Sequence, residues 1–86
     1  MLFSIIIPTF NNYSYLRMTI ESIIKNSEYK HQIIVHINGK DFKTRQYLDT
    51  ENIEHTFSNH NLGLCKGVNI ASKLASTEYI VYAHDD

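Results

Sequence analysis

Four short apolar runs, separated by stretches with helical spacing, constrain this chain more than any other feature. Residues 2–7 (LFSIII), 32–37 (QIIVHI), 53–57 (IEHTF) and 78–83 (EYIVYA) are of strand length and rich in Ile, Val and aromatic residues. Between the first two runs, Leu16, Ile20, Ile23 and Ile24 recur at i, i+4, i+7 and i+8, one stripe of a helix packed on a sheet. Leu64, Val68, Ala71 and Ala75 mark a second stripe ahead of the last run. Residues 41–48 read as a shorter helix capped by Asp41, and Asn11 or Asn12 stands where the first helix needs its cap. The order is βαβαβαβ. Such alternation predicts an α/β fold, a Rossmann-like three-layer unit whose four-stranded sheet is mainly parallel, with right-handed crossovers.

The 86 residues predict a single domain over 1–86, large enough to bury a core without staples. A net charge of −1 argues against a general grip on nucleic acid or an anionic membrane, since both need a basic surplus. The single cysteine, Cys65, excludes an internal disulfide or a Cys-based zinc cage and fits a reducing compartment. No apolar run approaches the length of a bilayer span, and there is no signal-peptide pattern. The expected location is cytoplasmic, with no membrane segment and no nucleic-acid partner.

In a parallel sheet the loops after the first, second and fourth runs emerge on one edge, where open α/β sheets bind ligands. The first, Pro8-Thr9-Phe10-Asn11-Asn12, joins a strand to a helix N-terminus, whose N–H groups and dipole favour a phosphate or carbonyl oxygen. Phe10 is suited to lie against a flat base; the same five residues also read as a plain capped turn. Asn38-Gly39 offers an amide to a base or ribose, or is simply a turn. Around the third helix, Asn61, Gly63, Lys66, Gly67 and Asn69 permit close backbone approach and bring a cation near any phosphate. Neither a Walker lysine-serine pair nor G-x-G-x-x-G is present. The fourth run ends in His84-Asp85-Asp86. Adjacent carboxylates stay ionised together most easily around a cation, and hard oxygen ligands suit Mn2+ or Mg2+. Five histidines show no zinc-like spacing; His31, His36, His55 and His60 read as surface or hydrogen-bonded core residues.

Together, SIIIPTFNN, QIIVHINGKD and NLGLCKGVNIASKLASTEYIVYAHDD resemble, in order and spacing, the N-terminal half of family 2 glycosyltransferases of GT-A fold. The resemblance covers essentially the whole chain. It implies a nucleotide-sugar donor whose base is lined by Pro8, Thr9, Phe10 and Asn11, with Asn38 and Gly39 beside base and ribose. Lys66 and Asn69 would lie by the donor phosphates. His84-Asp85-Asp86 would occupy the family's D-x-D position. Asp86 would then ligate the divalent cation, and His84 and Asp85 would line the donor site.

Three departures qualify this. Ile37 stands where many relatives carry an Asp before the Asn-Gly pair, so a preference for uracil does not follow. Val68 replaces a common Arg, and His84 replaces the first acid of the motif. The resemblance further implies inverting transfer to an acceptor hydroxyl, in building a surface polysaccharide. Its catalytic base would lie in a second half that these 86 residues do not include, so the chain alone is expected to be inactive. The rival expectation is a non-catalytic Rossmann-like module that self-associates, as a homo-oligomer, through the exposed edge of the fourth strand. A response-regulator-like domain would require acids after the first strand, where Pro-Thr-Phe-Asn stands.

Overall fold

The computed structural model describes residues 3–26, 31–77 and 79–83. Seven elements alternate as expected: β1 (Phe3–Thr9), α1 (Tyr13–Asn26), β2 (Gln32–Asn38), α2 (Phe42–Thr50), β3 (Glu54–Ser58), α3 (Leu64–Ser72) and β4 (Tyr79–Tyr82). The strands form one sheet in the order β3-β2-β1-β4, and every neighbouring pair is parallel. The predicted α/β, Rossmann-like unit is the observed one.

Strand order dictates the layers. β1, β2 and β3 step across the sheet in one direction, and right-handed crossovers lay α1 and α2 on one face. The step from β3 to β4 runs the opposite way, so α3 lies on the other face. Side chains alternate accordingly. Ile7, Val35 and Ile37 pack with Leu16 and Ile20 of α1 and Leu48 of α2. Ile6 and Ile34 meet Ala71 of α3, with Val68 and Ala75 beside them. Gly67 and Ala71, four apart and both buried, let α3 lie close to the strands.

Three local expectations shift. β1 continues two residues past Ile7, through Pro8 and Thr9. The Ala83 N–H donates to the Ile6 carbonyl, so residue 6 faces β4, and period two puts the Pro8 nitrogen on that side. The ladder with β4 ends at Ile6 paired with Tyr82, so the proline costs no ladder hydrogen bond there. Ile24 is 62% exposed: the buried stripe of α1 is Leu16 and Ile20, flanked by Ile23. Leu64 is also exposed, because it begins α3 one turn before Gly67, which already sits over the end of β2. β4 is the barest element, with all four residues, Tyr79 to Tyr82, between 41% and 61% exposed.

Candidate functional site

The carboxyl ends of four parallel strands make one rim, and each of the three helices begins there. Such a rim gathers the positive ends of helix dipoles and backbone N–H groups. The order β3-β2-β1-β4 also fixes where it opens. Connections leave β1 toward β2, while β4 lies on its other flank, so the topological switch falls between β1 and β4.

At the β1 end, Pro8 and Thr9 are buried as the last strand residues, and Phe10 emerges 52% exposed. Asn11 takes a left-handed backbone (φ 47°), which Asn tolerates better than most residues. That turn brings Asn12 into place, and its carbonyl accepts the Leu16 N–H at 2.9 Å to begin α1. At the β2 end, Gly39 has φ +110°, a conformation that L side chains rarely adopt. A Cβ at that position would lie 3.5 Å from the Phe10 ring, so the ring and Gly39 are close neighbours. The Gly39 N–H is already engaged, donating to the Ser58 carbonyl at 2.9 Å. Asn38 is buried on the α3 face, its amide oxygen 3.4 Å from the Ser58 hydroxyl. Its side chain therefore forms the floor beneath α3, while Phe10 and Asn11 stand open at the surface.

Lys66 and Asn69 are exposed on the first two turns of α3. The helix begins after Gly63 (φ 88°), whose N–H donates to Asn61 Oδ1 at 2.9 Å. β4 brings the chain back to β1, ending with Ala83 bonded to Ile6. His84, Asp85 and Asp86 follow directly in sequence and lie outside the described residues. Among the described residues, no cluster of three or more His, Cys, Asp or Glu side chains could hold a metal ion. No described helix is long and apolar enough to cross a membrane. A shallow depression lined by Phe42, Arg45, Gln46, Asp49 and Thr50 is built on α2 alone and gathers no second element.

One cluster escaped the reading of the sequence. His36 is fully buried on β2, with Nδ1 2.7 Å from Thr56 Oγ1 and Nε2 3.2 Å from Ser58 Oγ. Burial holds its pKa below the usual imidazole value, while the nearby Asn38 amide works the other way. A signal was present: polar residues at 36 and 38, and again at 56 and 58, have the strand period and pair directly across β2 and β3.

Comparison with known proteins agrees with this architecture. The model of "Glycosyl transferase family 2" matches residues 4–86. Three crystal structures of S. aureus TarS superpose on the full length of the chain. The TarS 1–349 structure does so with a TM-score of 0.84 at 23% identity. The longer TarS structure gives 0.84 at 24%, and TarS 1–349 in complex with UDP gives 0.82 at 23%. The chain spans 28% of the two shorter TarS chains and 17% of the longer one. No curated protein sequence matches significantly. A family model that covers all but the first three residues, on a parallel sheet of the expected α/β class, leaves one assignment: the chain belongs to glycosyl transferase family 2.

Proposed function

We propose that the chain is the donor-binding part of an inverting glycosyltransferase that moves a sugar from a nucleotide-sugar to an acceptor hydroxyl, in polysaccharide biosynthesis. The observation that carries this reading is the rim itself. Three helix N-termini and the loops after β1 and β2 converge beside the β1/β4 switch, and the sequence His84-Asp85-Asp86 follows at once. The base rests against Phe10 and the strand end formed by Pro8, Thr9 and Asn11, with Gly39 beneath the ring and Asn38 bracing it. Lys66 and Asn69 face the diphosphate from α3. Ile37 is buried and apolar, so the base is read through backbone groups and Phe10 rather than by a carboxylate at 37. Asp86 would hold Mn2+ or Mg2+, with His84 and Asp85 on the donor side, and such an ion would supply positive charge against the diphosphate. The UDP bound to TarS makes a nucleoside diphosphate the first ligand to test.

Titrating the intact protein with UDP, GDP and dTDP, with and without Mn2+, tests the reading. The expected result is metal-dependent binding of one nucleotide, weakened at least tenfold by Asp86→Ala. Equal binding without metal, or by the variant, removes Asp86 from the role.

The bare β4 favours a second reading, in which these 86 residues form a module that self-associates through that edge.

A further inference from the structure

His36 touches both ends of the segment that carries Lys66 to the rim. At one end the contact is steric. A Cβ on Gly67 would lie 2.7 Å from the imidazole Cδ2 and 3.0 Å from Asn38 Nδ2, so residue 67 must be glycine for α3 to rest on this ring. At the other end the contact is a chain of hydrogen bonds with a defined direction. The Ser58 hydroxyl has one hydrogen, and its shortest acceptor is the His60 carbonyl at 2.7 Å. Ser58 Oγ must then accept from His36 Nε2–H at 3.2 Å. That leaves Nδ1 bare, to accept from the Thr56 hydroxyl at 2.7 Å. The neutral Nε2–H tautomer satisfies Thr56, Ser58 and the His60 carbonyl, leaving Asn38 Oδ1, 3.4 Å from Ser58 Oγ, as the weaker acceptor, and burial favours the uncharged ring. His60 is the second residue of the stretch between β3 and α3, so pinning its carbonyl pins the start of that stretch, while the ring itself seats Gly67.

We propose that His36 is a positioning residue for the nucleotide rim, fixing residues 59–67, and with them Lys66, through Ser58 and Gly67. This rests on the donor-site reading above. The imidazole makes no contact with a ligand itself; it sets where α3 begins relative to the β2 end.

The test uses the intact protein, titrated with UDP, GDP and dTDP in the presence of Mn2+, together with amide hydrogen exchange of residues 59–66 without nucleotide. His36→Leu, which removes both hydrogen bonds, should weaken the best nucleotide about tenfold and speed exchange. Ser58→Ala leaves the packed ring in place and removes only the outer link, so a loss of about fivefold is expected. His36→Gln can present an amide N–H near the Nε2 position and should return affinity to within about twofold of the native protein. A histidine that merely fills space would show the reverse pattern, with Leu and Ser58→Ala harmless. Native affinity and native exchange in both His36→Leu and Ser58→Ala, while the native protein binds nucleotide, overturn the inference and leave the donor site standing. Failure of the native protein to bind any of the three nucleotides overturns the donor-site reading and this inference with it.

Discussion

His36 has a further consequence, in the pH dependence of stability. Its folded pKa lies below the free value of 6.5, so between the two the unfolded chain binds more protons than the folded one. This contribution to stability is complete above pH 6.5 and is lost as pH falls through the depressed folded value. Urea denaturation of the native protein should show a midpoint that declines from pH 7 to pH 5, and His36→Gln should flatten that slope. An equal slope in both would assign the effect to other groups. The sequence alone placed His36 no more closely than surface or core, because an imidazole in an apolar run looks the same in either setting. What decides it is the pairing of His36 with Thr56 and of Asn38 with Ser58, which exists only once the strand register is known. Gly67 was visible as a residue allowing close approach, but the ring it makes room for was not.

Helices were legible where a cap or a stripe announced them. Asp41, expected to cap a short helix, does so: its carboxylate accepts the Thr44 N–H at 3.2 Å and the Thr44 hydroxyl at 2.6 Å. α2 has no acidic residue in its first turn and only Thr44 and Leu48 buried, so this cap is a large share of what holds its start. Asp41→Ala should cost about 1 kcal/mol in denaturation experiments. Asp41→Asn, which keeps one acceptor, should cost less than half of that; equal losses would point to the charge rather than the cap. At helix ends the apolar stripe outruns the buried face. Ile24 and Leu64 fit the periodicity yet face solvent, because the spacing says which residues share a face but not how far the sheet beneath extends. The same limit applied to β1, whose continuation through Pro8 depends on how short its neighbour β4 is.

At the scale of the molecule, alternation and handedness predict the layers, while the order β3-β2-β1-β4 is set by pairings between distant strands. Nothing in the sequence of β4 says that it pairs with β1 rather than β3. Its Tyr-Ile-Val-Tyr run forms an edge of the sheet and is exposed along its whole length. Size-exclusion chromatography of the 86-residue chain should therefore show concentration-dependent association. Val81→Lys, which sets a charge on that strand, should shift it toward monomer. A native chain that stays monomeric at high concentration would discard the self-associating reading.

The central place of β1 links the first part of the chain to the last. Ser4, near the start of β1, bonds through its hydroxyl to Thr77, 73 residues away, at the approach to β4. During synthesis from the N-terminus, β1 can recruit β2 and then β3, but its other flank stays open until residues 79–83 have been made. The long loop this closes makes β4 the slowest pairing to form. A ligand gripping both the β1 and β4 ends would bind only after that closure and would stabilise it by mass action. Occupancy of the rim would then report that β4 has docked on β1.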